Sequence, residues 1–490
     1  MKRIALAEGI DTTLTDAVVV VGRDTRPSSP AAVTLVTRGA HAAGAKIDDV
    51  GIVTTPQLHH CVRMLNATPA RRARYGGLSG YNTMLREAYS GVLGTTTEHS
   101  NFVASRGPLL IDCAHGVGFV AASVLAPLFA PVLMMELRNT AATLNEALLL
   151  NDGVGAEHVQ KGRLPPAGFS PEADVGARCA SLDGDADRVV YWHWRKSDSA
   201  WRLQDGDKIA ALAASFLAEQ LADAGFAVSG EPSGHGHEHN RGPRGVGWDE
   251  SNVWQGAPCE ALDSLRAAPV SVGIVQTAYA NGASGDFVRE SLHLPTRLAK
   301  TGVKFVHAVA ADFDIGVYFE ANGHGTVLFA PALAARLESA VLGHSAEELE
   351  VAAGSKKAAV ALSRLFWASR LVNQAVGDAL SDALFVEAIL TLKGWGVAEW
   401  DALYEDLPSR QAKLAVPDRA AFKPIPDETR LTEPEAVQKA LDTLTCAAPR
   451  GRAFVRPSGT EDVVRVYAEA STQEIADKLC ADILSCLAKI

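Results

Sequence analysis

The sequence predicts a multidomain α/β protein built of mixed α/β domains, with an α+β domain at the C-terminus. Three observations predict it. The chain has 490 residues, and one hydrophobic core rarely grows past roughly 250 to 300 residues before the chain divides, so two to four domains are expected. Short aliphatic, β-branched runs recur along it, each ending in a glycine-bearing or acidic turn, as strands buried in α/β sheets do. The last block instead places helical patterns first and a hairpin pattern after them.

The elements follow in order. A buried parallel strand is predicted over 17–21 (AVVVV), delivering its C-terminal end into GRDTRPSSP. A helix over 34–43 and a strand over 48–54 (DDVGIVT), stopped by Pro56, complete a βαβ unit. A second block opens at Leu109 with LLIDCAHGVG, a strand, a glycine turn and an apolar helix, and continues to ASLDGDADRVVYWHW, where an acidic loop separates two apolar runs. The third block begins near Val272 (SVGIVQTAYANG) and reaches DIGVYFEANGHGTVLF, two strands around a glycine-rich loop. The last block ends in the hairpin AFVRPSGTEDVVRVYAEA and a helix from Ser471, with Ser471 and Glu474 as a capping box and Ile475, Leu479, Ile483 and Leu487 along one face. The blocks divide as 1–106, 107–270, 271–365 and 366–490, the first of them incomplete. Residues 226–268, rich in Gly, His, Pro and Trp and without periodicity, read as an insertion. His235, His237 and His239 alternate within it, but on a glycine-rich loop they are read as solvated and are given no catalytic role.

Composition narrows the function. The net charge of −11 repels a phosphate backbone and removes a general electrostatic case for nucleic-acid binding, so an anionic ligand needs a local basic site. Seven scattered cysteines with no C-x-x-C pair argue against a disulfide framework or zinc site and for a reducing, cytoplasmic setting. The uncharged stretch from Cys113 to Met135 carries Gly116, Gly118, Pro127 and Pro131, so it is read as buried strand, turn and helix, not as a membrane span. Glu8 interrupts the apolar start before a secretory core can form.

Four segments can carry chemistry. Asp183, Asp185 and Asp187 alternate in an irregular loop with Gly184 between them, and three carboxylates so placed converge hard oxygen ligands on one small cation. Mg2+ fits; an EF-hand is excluded because Arg188 stands where that loop needs glycine. A self-capping polar turn is the competing reading. Arg188 is expected to neutralise one acid or to orient a phosphoryl group. Arg456, Pro457, Ser458, Gly459 and Thr460, with Arg465 on the next strand, have the makeup of a phosphate cradle or of an ordinary hairpin turn. Glu320, Ala321 and Asn322, followed by Gly323 and His324, suit vicinal sugar hydroxyls or an amide, or simply an Asn-Gly turn. Arg23 and Arg26 end the first strand, where α/β sheets place ligands; an Arg-Asp ion pair fixing the turn is the alternative. Lys300 and Lys304 supply further cations.

Taken together, GRDTRPSS, TTPQLH, DGDADR, DGDKIA, VQTAYANG, KTGVK, DIGVYFEANGHGT and FVRPSGTEDVVRVYAEA, in this order, resemble the phosphoacetylglucosamine mutases of the α-D-phosphohexomutase superfamily. The resemblance covers nearly the whole chain except about 226–268. It implies a four-domain enzyme that interconverts N-acetylglucosamine 6-phosphate and 1-phosphate on the way to UDP-N-acetylglucosamine, through a phosphoserine and a bisphosphate intermediate. It further implies Mg2+ on Asp183, Asp185 and Asp187, the sugar on Glu320 and Asn322 with His324 a weaker addition, and the substrate phosphate on Arg456, Ser458, Gly459, Thr460 and Arg465. The family's Thr-Ala-Ser-His-Asn-Pro loop is not in the sequence; neither Ser28, Ser29 nor Ser79 has a Ser-His-Asn context, so this form is expected to be inactive or severely impaired. The expected partner is a small sugar phosphate handled by a monomer, with no nucleic acid and no membrane. A noncatalytic phosphosugar-binding protein and another hexose-phosphate mutase are the alternatives.

Overall fold

The β-branched run near the start forms β1 (Val18–Arg23), which pairs in parallel with β2 (Lys46–Ile52) around the helix Ser29–Ala42. This computed structural model describes residues 17–94, 102, 105–141, 149–232, 258–459 and 461–488. The helix begins earlier than its periodicity predicts because Pro30 is tolerated in a first turn. The strand is also less buried than expected. Only Val21 of β1 lies in the interior, since among the described residues the sheet has two strands and the helix covers one face.

The second sheet has the order β4-β3-β5-β6-β7. Its strands β3 (Leu109–Asp112), β4 (Met135–Arg138) and β5 (Arg178–Leu182) are parallel, while β6 (Val189–Trp194) and β7 (Trp201–Gln204) run antiparallel. The apolar stretch after Cys113 is a turn followed by the helix Gly118–Phe129, with Pro127 inside it. Among the described residues no helix is long and apolar enough to cross a membrane.

The third sheet repeats this plan. Its strands are β8 (Val228–Ser229), β9 (Val270–Gln276), β10 (Thr296–Leu298), β11 (Ile315–Phe319) and β12 (Gly325–Phe329), in the order β10-β9-β11-β12 with β8 beside β9. In both sheets a buried parallel strand turns into an antiparallel hairpin, and the two hairpin loops are DGDADR and EANGH. The helix Gly206–Asp223, buried on nearly every face, packs against β11 and against the helices Lys356–Leu371 and Ala379–Lys393. One apolar core therefore runs through both sheets. Arg106 and Arg178 reach Glu387 across it at 2.7 and 3.3 Å.

Part of the stretch read as an insertion belongs to this core. Phe226 is buried, Val228 and Ser229 pair with β9, and the helix Pro258–Ala267 packs on Pro331–Leu342 through Ala261, Leu262 and Leu265. His235, His237 and His239 lie outside the described residues.

The chain closes with β13 (Ser409–Ala415), a small hairpin of β14 (Lys423–Pro424) and β15 (Leu431–Glu433), and the longer hairpin of β16 (Arg452–Pro457) and β17 (Val463–Glu469), in a sheet ordered β13-β17-β16. Two helices, Glu435–Ala447 and Gln473–Leu487, cover it and form a separate core. The cap of the final helix is Thr472, whose hydroxyl accepts from the Ile475 amide. The box predicted from Ser471 and Glu474 does not form: the cap lies one residue later, where the third helical position is Ile475 and has no side-chain acceptor to complete a box.

Candidate functional site

Because β5 and β6 are buried along their whole length, the loop between them is held at both ends. Asp183 folds back on it, Oδ1 accepting from the amides of Asp187 at 3.0 Å and Arg188 at 3.2 Å. Asp185 is held from the first block. Thr55, in the first turn of the helix Thr55–Leu65, donates its hydroxyl to Asp185 Oδ2 at 2.6 Å and its amide to the Asp185 carbonyl at 3.1 Å. The cap of that helix is Thr54, boxed with Gln57, so the Thr55 hydroxyl faces the loop. Asp187 Oδ1 is buried and makes no hydrogen bond.

One oxygen from each of the three aspartates lies within 4.8 Å of the others. Burial, and then the charges of Asp187 and Asp185, push the Asp183 carboxyl well above the usual range. A hard divalent cation would offset both costs, and the orphaned Asp187 oxygen would be available to it as a ligand, so this donor set fits Mg2+. Arg188 Nε stands 3.6 Å from both Asp183 and Asp187. That is ion-pair range but beyond a hydrogen bond, so the guanidinium balances two acids at once.

The acidic loop and the glycine-rich loop meet across the two sheets. Arg188 and His324 form a β-bridge, and the Val189 amide donates to the Gly323 carbonyl at 3.2 Å. Gly323 has φ +87°, and a Cβ there would stand 2.1 Å from the Val189 oxygen, so the contact requires glycine. His324 Nδ1 lies 3.5 Å from Asp187 Oδ2; burial lowers its pKa and the Asp187 charge acts against that. Asn322 Oδ1 accepts from the His324 amide at 3.0 Å, the Ala321 carbonyl accepts from the Gly206 amide at 3.4 Å, and Glu320 Oε1 accepts from the Gly302 amide at 3.0 Å. The loop is thereby fixed from both sides, with Glu320 nearly buried.

On the C-terminal sheet Arg456 and Arg465 are directly opposite each other in the β16/β17 register. Like charges so placed repel, and the Nε of each is buried without a hydrogen-bond partner. An oxyanion between them would satisfy both. Pro457 ends β16, the Ser458 amide donates to Val463 at 2.9 Å and its Oγ accepts from the Glu461 amide at 3.3 Å. A Cβ at Gly459 would meet no atom within 4 Å, and Thr460 lies outside the described residues. This sheet is anchored to the TAYANG loop. Arg452 pairs with Glu469 twice at 2.9 Å and donates to the Ala278 carbonyl at 2.9 Å, while Gly282 donates to Glu469 at 3.2 Å.

Two further groups connect the three loops. Glu157 lies 3.9 Å from Arg188; its carboxyl is held below the usual range first by Lys161 and then by the charges of Arg188 and Arg465. Glu428 accepts from Arg456 at 2.9 Å and from the Thr301 amide at 3.1 Å. Elsewhere, Arg26 pairs with Asp24 at 3.0 Å, the ion-pair alternative for that turn. Arg23 lines a cavity of about 330 Å3 together with Thr54, Thr55 and Asp185. Lys300 and Lys304 lie over the Phe305 ring at 5.3 and 4.9 Å. Thr55 and Glu428 are not expected from the sequence. Thr55 has a signal in the TTPQLH string, but Glu428 has none.

Three family models match the chain: phosphoacetylglucosamine mutase AMG1, domain III, over residues 259–395; the phosphoglucomutase/phosphomannomutase C-terminal domain over 413–485; and its alpha/beta/alpha domain I over 4–70. The phosphoacetylglucosamine mutase of Arabidopsis thaliana is 41% identical over 474 residues, covering 95% of this chain and 75% of that protein. The human enzyme is 40% identical over 470 residues, covering 96% and 74%. The chain thus spans about three quarters of the length of these relatives. The crystal structure of Aspergillus fumigatus N-acetylphosphoglucosamine mutase with GlcNAc-6P and magnesium superposes with a TM-score of 0.80 at 34% identity, covering 99% of this chain and 85% of that one. An N-acetylglucosamine-phosphate mutase of the alpha-D-phosphohexomutase superfamily, in its product complex, gives 0.80 at 32% identity, covering 99% and 79%. By sequence and by fold, the chain belongs to the phosphoacetylglucosamine mutase family of that superfamily.

Proposed function

We propose that this chain binds N-acetylglucosamine phosphate together with Mg2+ and serves the interconversion of the 6-phosphate and the 1-phosphate. The observation that carries the reading is the junction of the acidic and glycine-rich loops through Arg188, Val189 and Gly323, with the opposed Arg456 and Arg465 tied to the same region through Glu428. Each loop has a distinct task. Asp183, Asp185 and Asp187 hold the cation, which when bound supplies positive charge against a transferring phosphoryl group. Glu320 and Asn322 present a carboxylate and an amide toward sugar hydroxyls and the N-acetyl group. Arg456 and Arg465, with Ser458, Gly459 and Thr460, hold the phosphate that is not reacting, so that the sugar is presented at a fixed distance from the cation. Arg188 balances the two acids it faces and keeps them aimed at the cation site.

Calorimetry tests the reading. In Mg2+ the protein should bind N-acetylglucosamine 6-phosphate, and glucose 6-phosphate more weakly because it lacks the N-acetyl group. Absence of binding to either N-acetylglucosamine monophosphate sinks the proposal. Equal affinity for the glucose ester points to a different hexose-phosphate substrate.

A further inference from the structure

We infer that Glu428 is a positioning residue that locks the phosphate-binding arginine to loop 299–302, holding the sugar and phosphate halves of the site in register. The inference rests on the functional reading above for its ligand, and on geometry for the lock itself.

Glu428 stands in the turn between β14 and β15. Its amide donates to the Ile425 carbonyl at 2.9 Å, and the Ile425 amide donates to Arg430 at 2.8 Å, closing the turn. The residue has φ +62° and is 4% exposed. That backbone conformation suits glycine or asparagine, so a buried glutamate there carries a backbone cost that the bonds of its side chain must offset. The side chain leaves the turn and crosses to the third sheet's domain. A single oxygen, Oε2, accepts from Arg456 at 2.9 Å and from the Thr301 amide at 3.1 Å.

The next amide of the same loop, Gly302, donates to Glu320 Oε1 at 3.0 Å. Successive amides of loop 299–302, which leads into the helix Val303–Ala310, are therefore held by two carboxylates, one from the glycine-rich loop and one from the C-terminal part of the chain. Arg456 is left with Nη1 engaged and Nε buried beside Arg465 without a partner, so Glu428 decides which edge of the guanidinium faces the anion. Without it, the tie visible on the Arg456 side chain is the Tyr279 ring at 5.6 Å, which fixes no edge. A counter-ion that phosphate must displace makes the opposite prediction, since its removal tightens phosphate binding.

Two variants separate these roles. Glu428→Gln keeps the shape and removes the charge. Glu428→Asn suits the turn better and is too short to reach Arg456 or Thr301, so the fold is kept while the lock is lost. Hydrogen exchange of the segment 299–305 in ligand-free protein should speed up about tenfold in both, and affinity for N-acetylglucosamine 6-phosphate and for inorganic phosphate should fall by about tenfold, the range of a charge-assisted hydrogen bond. The melting temperature of Glu428→Asn should fall only modestly, because relief of the left-handed backbone at this position offsets part of the loss of the Arg456 ion pair. Unchanged exchange in 299–305, or tighter phosphate binding in either variant, overturns the inference. Faster exchange in the variants, in a protein whose wild type binds neither ligand, supports the lock and defeats the functional reading instead.

Discussion

Asp205 caps the helix Gly206–Asp223 next to the residue whose amide holds the Ala321 carbonyl, and its replacement by asparagine removes one pH-dependent term in stability while also relieving Asp207, whose carboxyl the Asp205 charge helps to raise. The carboxylate is buried, with Oδ1 accepting from the Asp207 amide at 3.0 Å. Burial first, and then the Asp406 charge, raise its pKa to about 7, with Arg163 acting in the opposite direction. An unfolded aspartate titrates near 3.9. Between these values the native state keeps a proton that the unfolded state has released, so stability falls as pH rises, by about 1.4 kcal/mol per unit. The contribution is fully present below about pH 4 and is lost as pH rises through about 7, a total of about 4 kcal/mol. Asparagine keeps the cap acceptor and resembles the protonated acid. Asp205→Asn should therefore match the wild type near pH 4 and exceed it by about 4 kcal/mol at pH 8. The assay is hydrogen exchange of Gly206–Asp223 across that pH range, which reads the opening free energy of this helix in a multidomain chain. A wild-type minus variant difference that stays flat with pH would mean that Asp205 gains or loses no proton on folding across this range.

Other perturbations have expected outcomes of their own. Glu387→Ala leaves Arg106 and Arg178 uncompensated in the core, where all three side chains are almost fully buried. It should cost about 3–5 kcal/mol, seen as a large drop in melting temperature; a loss under about 1 kcal/mol contradicts it. Thr55→Val removes the hydroxyl from Asp185 and leaves the Thr54 cap in place. Mg2+ affinity by calorimetry should fall about ten- to hundredfold, as when a metal ligand loses its orienting partner, and an unchanged value shows that Asp185 needs no such support. At Gly377 an added Cβ would stand 2.5 Å from the His324 ring and 2.7 Å from the Asp187 carbonyl. Gly377→Ala should destabilise by about 1–3 kcal/mol and weaken Mg2+ binding together with it, whereas a neutral substitution shows that the His324 ring can move aside.

Local chemistry makes much of the site legible in the amino-acid sequence. An acidic triplet between two apolar runs fits the loop of a buried hairpin, and a glycine-rich turn between two others is its counterpart in the next sheet. Their mutual contact is not legible there, because it depends on Arg188 meeting His324 and on Val189 meeting Gly323, pairs separated by more than a domain core. Glu428 illustrates the same limit. It is an ordinary glutamate in an ordinary turn until its left-handed backbone and its reach to Arg456 and Thr301 are seen. The helix Pro258–Ala267 is concealed by the aperiodic glycine and histidine texture just before it, although Ala261, Leu262 and Leu265 form a short helical stripe. At Ser471 and Thr472, either of two adjacent hydroxyls can cap the helix, and the structure uses Thr472 although only Ser471 has a glutamate three residues on.

The most direct test of the central claim is the 31P relaxation of N-acetylglucosamine 6-phosphate in the presence of Mn2+, which replaces Mg2+ and broadens nearby phosphorus. A shared site built from the acidic, glycine-rich and arginine loops predicts strong enhancement in the wild type. Asp185→Asn should abolish it by releasing the metal, and Arg456→Ala by releasing the phosphate. A bound sugar phosphate whose relaxation is untouched by bound Mn2+ would contradict the account, because metal and phosphate would then occupy separate sites.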